Sequence, residues 1–208
     1  AKTAEMCKLP ENSFRDVNIA FANELSLLCD REGINVWDLI RLANHHPRVD
    51  ILKPGVGVGG HCIAVDPWFI VARNPEDAVV IKAARGVNTR KTEWAVDRIV
   101  AAAAEAEERL GRRPRIACLG LAFKPDIDDL RESPALSIAE RLHAAGHDIV
   151  AVEPNIDEHP TLPLAELENA SREGDVFAFL VRHSGFVDPA VRARLAGKVV
   201  LDFCGIDG

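Results

Sequence analysis

Residues 111–125 read Gly111-Arg112-Arg113-Pro114-Arg115-Ile116-Ala117-Cys118-Leu119-Gly120-Leu121-Ala122-Phe123-Lys124-Pro125. The spacing of apolar residues along the chain changes within this stretch. The first four residues are typical of a linker, and Arg115 to Phe123 form a short apolar run typical of a buried strand. Apolar residues at helical spacing dominate before this stretch, whereas short apolar runs dominate after it. We therefore predict two domains, residues 1–112 and 113–208.

The first domain carries helical patterns. From Ala4 to Asp30 the apolar residues recur at three- and four-residue spacing, which indicates an amphipathic helix. A shorter helix is predicted for Val36 to Ala43, and a long one runs from after Pro75 to about Leu110. Arg48 to Asp66 holds four glycines and is predicted to be an ordered loop, because so many breakers oppose regular structure.

The second domain alternates strands with helix. The predicted strands are Arg115 to Phe123, Asp148 to Val152, Val176 to Val181 and Lys198 to Phe203. A helical segment from Ser133 to Ala145 lies between the first two. Such alternation implies a parallel sheet with helices on its faces. The predicted fold class is therefore an α-helical domain followed by a Rossmann-like α/β domain.

Composition excludes several classes of function. The 208 residues carry a formal net charge of -7 without a Lys/Arg-rich stretch, so we expect neither nucleic acid nor a membrane as a partner. The apolar runs are far shorter than a bilayer span and no signal peptide is apparent, so a cytoplasmic location is expected. The five cysteines are scattered without a C-x-x-C pair, which argues against a disulfide framework and against a metal site.

Three polar residues share one face of the first predicted helix. Lys8, Asn12 and Arg15 follow each other at helical spacing, so their side chains point the same way. They could hold an anionic ligand, with the lysine free to move a proton. A solvated helix face explains the same spacing and is favoured by spacing alone.

A glycine-rich stretch reads Gly55-Val56-Gly57-Val58-Gly59-Gly60-His61-Cys62. Its glycines allow the backbone to come close to a ligand, and Cys62 at its end is expected to carry an accessible thiol. The stretch is not interpreted as a dinucleotide loop, because neither a strand before it nor a helix after it is predicted. Cys62 is a candidate nucleophile, although a free cysteine is often a small buried hydrophobe. Asp66 either orients water or an amine, or only stabilises the turn before Pro67.

In the second domain, Lys124 comes directly after a predicted strand, where open parallel sheets bind ligands. It is placed to meet a phosphate. Arg131 follows shortly before the next helix, for which Ser133 is a candidate N-cap. Arg131 either contacts a ligand or forms a salt bridge with the neighbouring acids.

Three motifs together resemble the UDP-glucose/GDP-mannose dehydrogenase family. They are Glu5-Met6-Cys7-Lys8-Leu9-Pro10-Glu11-Asn12, Gly57-Val58-Gly59-Gly60-His61-Cys62 and Leu121-Ala122-Phe123-Lys124-Pro125-Asp126, in the family's order and separation. Three further stretches resemble the members that act on UDP-N-acetyl-D-mannosamine. These are Phe14-Arg15-Asp16-Val17-Asn18-Ile19-Ala20, His46-Pro47-Arg48-Val49 and His61-Cys62-Ile63-Ala64-Val65-Asp66-Pro67-Trp68-Phe69.

The resemblance implies NAD-dependent oxidation of a UDP-sugar at its C6 hydroxyl to the uronate. It implies that Cys62 carries the oxidised carbon as a thiohemiacetal and then as a thioester. Lys8 would transfer protons and stabilise oxyanions, and Asp66 would assist with water and proton traffic.

The resemblance also assigns binding roles. The substrate-binding residues it implies are Lys8, Asn12, Arg15, His46, Arg48, Gly59, Phe123 and Lys124, and Arg131 is implied to reach the NAD cofactor. The arginine matching Arg48 crosses to the neighbouring subunit in this family. A homodimer through the helical domain is therefore expected.

Two departures from the family pattern matter. The family begins with an NAD-binding Rossmann domain and this chain starts after it, so we expect a separately made piece, a proteolysed product or a shortened gene product that alone turns over no substrate. Near the end, Cys204 occupies a position that is usually a substrate-contacting lysine or arginine, which leaves one contact and the identity of the sugar open.

Two other classes of function stay open. The chain could be a non-catalytic, dimerising UDP-sugar-binding module in which Cys62 is inert. A cysteine acyl-transfer or hydrolytic enzyme would need a histidine and an orienting group around the thiol, and His61, as the next residue in sequence, is poorly placed to serve.

Overall fold

The computed structural model describes residues 2–206, with side chains from residue 7 onward. The first part of the chain is helical, with α1 (Lys2–Glu32), α2 (Val36–Ala43), α3 (Asp66–Arg73) and α4 (Val79–Leu110). The predicted helices correspond to α1, α2 and α4, and residues 48–65 contain no helix or strand, as expected. The pattern does not predict α3, because its apolar residues 68–72 form one continuous run without helical spacing.

A parallel sheet follows, built within the described residues from β1 (Arg115–Leu119), β2 (Asp148–Val152), β3 (Val176–Phe179) and β4 (Val199–Asp202). The strand order is β2-β1-β3-β4. The connecting helices are α5 (Pro134–Ala144), α6 (Leu167–Glu173) and α7 (Pro189–Arg194). The predicted fold class, a helical part followed by a parallel α/β sheet, is confirmed.

The predicted first strand is too long at its end. It stops at Leu119, and Gly120 turns the chain with a φ of 94°. A Cβ on Gly120 would lie 2.5 Å from Cβ of Val181, so the turn also lets the segments after β1 and β3 approach closely. Apolar residues continue beyond the turn because the loop itself is buried, which is why the sequence pattern overshoots.

Both faces of the sheet are buried, as a parallel sheet requires. Ile116 and Cys118 of β1 face α4 and α5, whereas Ala117 and Leu119 face the opposite side. The opposite side holds two large phenylalanines of β3, Phe177 and Phe179, against α6 and α7. Period-two alternation on buried strands therefore fixes the register.

Helix α4 belongs to both parts of the molecule. Its first half packs on α1, and Ala95, Ile99 and Ala103 from its second half lie in the apolar core that covers the sheet. The ring of Trp94 meets Phe203 edge to face, with centroids 5.7 Å apart. The helix ends at Leu110, and Gly111 caps it with a left-handed φ of 66°. The division at residue 112 stays a prediction, because the core continues across it.

The strand order creates a switch point between β1 and β3. The chain leaves β1 towards β2 on one side, and then returns across the sheet to β3 on the other. Open parallel sheets bind ligands at the carboxyl ends of their strands at such a point. No helix within residues 2–206 is both long and apolar enough to cross a bilayer.

Candidate active site

A cleft of about 380 Å³ opens at the switch point, between the glycine-rich loop and the carboxyl edge of the sheet. Both predicted domains contribute to its walls. Residues lining it include Arg15, Lys53, Phe123, Lys124, Arg182 and Cys204. Arg15, Phe123 and Lys124 were predicted as substrate-binding residues, and the structure brings them to one cavity.

The cleft is strongly basic although the chain is acidic overall. Arg15 and Lys53 line it from the helical part, and Lys124 and Arg182 line it from the sheet. Within residues 7–206 none of the four forms an ion pair, and no acidic side chain lines the cleft. Unmatched positive charges around one cavity favour an anionic ligand.

The glycine-rich loop is held by a buried polar network on α1 and α4. The N–H of Gly55 donates to Oδ1 of Asn23 at 2.9 Å, and Nδ2 of Asn23 donates to Oδ1 of Asn88 at 2.9 Å. The hydroxyl of Thr92 donates to the carbonyl of Val56 at 2.8 Å. Because Asn23 and Asn88 are almost fully buried, these bonds give the loop one defined position.

Phe123 packs directly on the glycine-rich loop. A Cβ on Gly59 would lie 2.8 Å from Cβ of Phe123 and 2.6 Å from the carbonyl oxygen of Glu132. The ring of Phe123 would lie 3.0 Å from a Cβ on Gly60, whose φ of 84° also favours glycine. Glycine therefore allows the loop to meet the segment after β1 at backbone distance.

Cys62 stands just beyond this contact. Its side chain is half-buried, and its carbonyl accepts from the N–H of Val65 at 3.1 Å and of Asp66 at 2.8 Å. These bonds close a turn that leads into α3, with Asp66 as the first residue of that helix. Oδ2 of Asp66 accepts from Nδ2 of Asn12 on α1 at 2.5 Å. The structure thus brings the predicted residues Asn12, Cys62 and Asp66 together.

Arg131 borders the same turn. Its carbonyl accepts from the N–H of Gly60 at 3.1 Å, and its guanidinium forms an ion pair with Asp129 at 2.6 Å. The hydrogen bonds to Asp129 raise the pKa of Arg131, and a thiolate at Cys62 adds to that rise. The guanidinium is therefore within electrostatic reach of Cys62.

The loop that carries Phe123 and Lys124 is braced at its start by a buried acid. Oε2 of Glu153 accepts from the N–H of Leu121 at 2.7 Å and of Ala122 at 3.0 Å. The same oxygen lies 3.0 Å from Nε2 of His183. Burial opposes ionisation of Glu153, but these hydrogen bonds outweigh it and hold its pKa at about 2.

The far end of the loop is braced from the segment after β3. The N–H of Asp126 donates to Nδ1 of His183 at 3.0 Å, which makes Nε2 the protonated nitrogen that faces Glu153. Oδ1 of Asp126 accepts from the N–H of Ser184 at 2.9 Å. The ends of β2 and β3 therefore fix both ends of the loop, and Phe123 and Lys124 project from its middle.

The hydrogen bonds of Glu153 also affect whether a dinucleotide could bind at this edge of the sheet. In Rossmann-type sheets the amides after the first strand bind a cofactor phosphate. Here the amides of Leu121 and Ala122 are taken by the carboxylate of Glu153. The described edge of the sheet therefore does not fit NAD in that position, and among the described residues only Arg131 was predicted to reach this cofactor.

Three predicted site residues lie away from these contacts. Nζ of Lys8 is 3.4 Å from Oε2 of Glu11 in an exposed pair, one helical turn before Asn12. Nδ1 of His46 accepts from the N–H of Arg48 at 3.2 Å in an exposed turn after α2. In the described part of the chain none of the three contacts Cys62 or the cleft, so their roles stay predictions.

Four residues of the site were not predicted from the sequence. Lys53 and Arg182 line the cleft, and Glu153 and His183 brace the loop. A signal was present for two of them, because Glu153 directly follows the predicted strand that ends at Val152, and Arg182 directly follows the one that ends at Val181.

Comparison with known proteins identifies the two parts of the chain. The model of the UDP-glucose/GDP-mannose dehydrogenase family, central domain, matches residues 2–90. The model of the UDP binding domain of the same family matches residues 117–206.

Curated relatives and solved structures agree with these matches. UDP-N-acetyl-D-mannosamine dehydrogenase of Escherichia coli strain K12 is 59% identical over 89% of this chain and 46% of its own length. The enzyme of that name from Campylobacter jejuni is 58% identical over 98% of this chain and 49% of its own length. The structure of UDP-D-ManNAc dehydrogenase from Pyrococcus horikoshii superposes with a TM-score of 0.84 at 37% identity, covering 100% of this chain and 49% of that protein. The chain thus spans about half the length of the curated relatives it matches.

Proposed function

Since the chain belongs to the UDP-glucose/GDP-mannose dehydrogenase family, we propose that it supplies the thiol and much of the sugar-nucleotide site of an NAD-dependent UDP-sugar 6-dehydrogenase. The observation that carries the proposal is the contact of Phe123 with Gly59 and Gly60. This contact places the cation-lined cleft, to which Phe123 belongs, beside the loop that ends at the accessible Cys62. UDP-N-acetyl-D-mannosamine is the proposed substrate, because relatives of that name share more than half of their aligned residues with this chain.

Cys62 is the proposed nucleophile. NAD, when bound, would supply the hydride acceptor for the two oxidations, and Arg131 is the described residue proposed to reach it. Between the two oxidations, Sγ of Cys62 as a thiolate adds to the C6 aldehyde, and the carbonyl oxygen becomes an oxyanion that is protonated to the thiohemiacetal. Loss of the second hydride and of the hydroxyl proton leaves a thioester, and attack by water then breaks the carbon–sulfur bond to give the carboxylate and the free thiol.

Asp66 and Lys8 are the proposed groups for proton traffic. Asn12 holds Asp66 at 2.5 Å, one turn from the carbonyl of Cys62, and that geometry suits an acid that orients the attacking water. Lys8 lies four residues before Asn12 and so on the same face of α1. Its ion pair with Glu11 is exposed to solvent, and exposed ion pairs contribute little stability. The ammonium group can therefore leave Glu11 and turn towards an oxyanion.

The cleft is the proposed site for the diphosphate. Its cations come from both sides, and Phe123 offers an apolar ring beside the glycine-rich loop. Arg131, at the edge of the Cys62 turn, is the proposed contact to NAD. His46 and Arg48 are proposed to act across a dimer, since both are exposed.

An apolar seam on α1 supports the proposed dimer. Phe14, Phe21 and Leu28 follow at intervals of seven residues and are 72%, 51% and 50% exposed. Side chains at this spacing lie along one side of a helix. Large apolar side chains in such a row are typical of an interface between protein chains.

Replacement of Phe21 by arginine is expected to convert a dimer into a monomer, because it puts a charge in the middle of the seam. Light scattering after gel filtration measures the mass of both forms. Leu42→Arg is the matched control, since Leu42 is also exposed but belongs to α2 and not to the row on α1. A wild-type chain that is monomeric at high concentration, or a Phe21 variant that stays dimeric, would contradict the seam.

Alkylation of Cys62 tests the proposed function. Among the described cysteines only Cys7 and Cys62 have accessible side chains, and burial raises the pKa of Cys118 to about 12. UDP-N-acetylmannosamine is expected to slow the reaction of iodoacetamide with Cys62 about tenfold or more, and UDP-glucose and GDP-mannose to slow it less, because a bound sugar covers the thiol. Peptide mass spectrometry measures the labelling of each cysteine.

Cys7 is the internal control, because its labelling should not depend on the ligand. The Cys7→Ser variant then reports Cys62 alone. Equal labelling of Cys62 with and without all three nucleotide sugars would overturn the proposed function. Binding of a nucleotide sugar by a chain whose Cys62 reacts no faster than Cys7 would favour the non-catalytic binding module.

A further inference from the structure

Arg182 is the least explained cation of the cleft. It lies three residues after the end of β3 and stands across the switch point from Lys124, which comes after β1. Its Nε donates to the carbonyl of Gly205 at 2.8 Å, and the side chain is half-buried. Within residues 7–206 this is the hydrogen bond that Arg182 makes, so the terminal nitrogens of the guanidinium remain available at the cleft.

The acceptor of that bond is rigid. Gly205 has a φ of 78°, and a Cβ on it would lie 2.9 Å from the ring of Trp37 on α2. Oδ1 of Asp202 accepts from the N–H of Gly205 at 2.8 Å. The carbonyl that orients Arg182 is therefore held by contacts from the sheet and from the helical part, and the guanidinium is oriented before a ligand arrives.

Cys204 lies next to Gly205 on the same wall. Burial is the main cause that raises the pKa of its thiol well above the usual range, and Asp202 raises it further while Arg182 opposes the rise. The thiol is neutral at physiological pH and cannot attract an anion. The electrostatic effect of Arg182 on Cys204 also shows that the guanidinium is close to this position.

On the basis of the function proposed above, we propose that Arg182 is a substrate-binding residue that contacts the diphosphate of the nucleotide sugar. It supplies beside Cys204 the positive charge that the thiol lacks. A guanidinium presents parallel N–H groups that match two phosphate oxygens, whereas Lys124 on the opposite side acts as a point charge. The ends of β1 and β3 then hold the diphosphate between them.

The test compares UDP with uridine, which lacks the phosphates. Calorimetric titration measures the affinity of the chain for each. Arg182→Gln is expected to weaken UDP binding about ten- to hundredfold, because a hydrogen bond between charged groups is lost, and to leave uridine binding unchanged. A lysine at position 204 in the same variant, R182Q with C204K, is expected to restore part of the affinity, since it returns a cation to the same wall.

Arg182→Lys separates charge from geometry, and its affinity for UDP should fall between the wild-type and Arg182→Gln values. Uridine binding and the thermal unfolding temperature show that each variant is folded. Wild-type affinity for UDP in Arg182→Gln, beside a weakened Lys124→Gln, would overturn the role of Arg182 and leave the proposed function standing. Failure of the wild-type chain to bind UDP at all would overturn both.

Discussion

Replacement of Glu153 by glutamine is expected to lower the free energy of unfolding at pH 7 by about 3 kcal/mol, because buried donors lose a charged acceptor. The carboxylate oxygen accepts from two backbone amides and faces His183. Glutamine has one acceptor oxygen where the carboxylate has two, so its NH2 group must face either these donors or the two donors of Asn155 at the other oxygen. The loop that carries Phe123 and Lys124 would lose its fixed position, so the affinity for UDP should fall as well.

The contribution of Glu153 to the free energy of unfolding should decrease as the pH falls. Folding lowers the pKa of Glu153 from 4.5 to about 2, which corresponds to about 3 kcal/mol of stability. A carboxylate whose pKa falls on folding stabilises fully above its ordinary pKa, and the contribution is lost as the pH falls from 4.5 towards 2. The difference between wild type and Glu153→Gln should therefore be large at pH 7 and clearly smaller at about pH 3.

Urea unfolding at both pH values measures the difference. Glu158→Gln is the matched control, because Glu158 lies five residues further on, is exposed and forms no hydrogen bond or ion pair within residues 7–206. Equal stability of the two glutamine variants at pH 7 would show that the brace contributes nothing.

Replacement of Gly59 by alanine is expected to abolish the protection of Cys62 by a nucleotide sugar. The added methyl group would lie 2.6 Å from the carbonyl oxygen of Glu132 and 2.9 Å from Cδ of Pro134. None of these atoms is the end of a flexible side chain, so the glycine-rich loop and the segment after β1 must move apart. Overpacking of this kind costs about 1–3 kcal/mol of stability, and it separates Phe123 from the loop.

Thermal unfolding and the alkylation rate of Cys62 measure the two effects. Gly86→Ala serves as the control, because a Cβ at Gly86 on the exposed side of α4 meets nothing within 4 Å. Alanine is the better helix former, so this variant should be as stable as wild type or more so. Full protection of Cys62 in Gly59→Ala would mean that the close contact with Phe123 is not needed for binding.

Much of the fold follows from the sequence because long elements carry long patterns. α1 and α4 each span more than thirty residues, and the change at residue 111 separates their period from the short strands. α6 and α7 were not predicted, since each has seven residues or fewer, and α3 was not predicted because its apolar residues form one continuous run. The strand ends were overestimated because Leu121 and Val181 are buried in loops, and burial alone does not distinguish loop from strand.

Some residues of the site are likewise marked by a local sequence pattern, and others are not. Cys62 and Lys124 were predicted because glycines and a strand end mark them locally, whereas the role of Phe123 was implied by the family resemblance alone. The bond from Asn12 to Asp66 joins residues that are 54 positions apart, and no local pattern contains it. Arg182 and Glu153 directly follow predicted strands, as Lys124 does, so the position after a strand end is a local signal for all three.

The shared helix α4 has a consequence for how the chain is made. α4 precedes every strand, so a ribosome releases its apolar residues Ala95, Ile99 and Ala103 before the sheet that covers them exists. They stay open to water until β1 and β3 have been synthesised and paired. A chain synthesised from the end of α4 up to β3 therefore exposes an apolar helix face, and such exposed surfaces favour aggregation and chaperone binding.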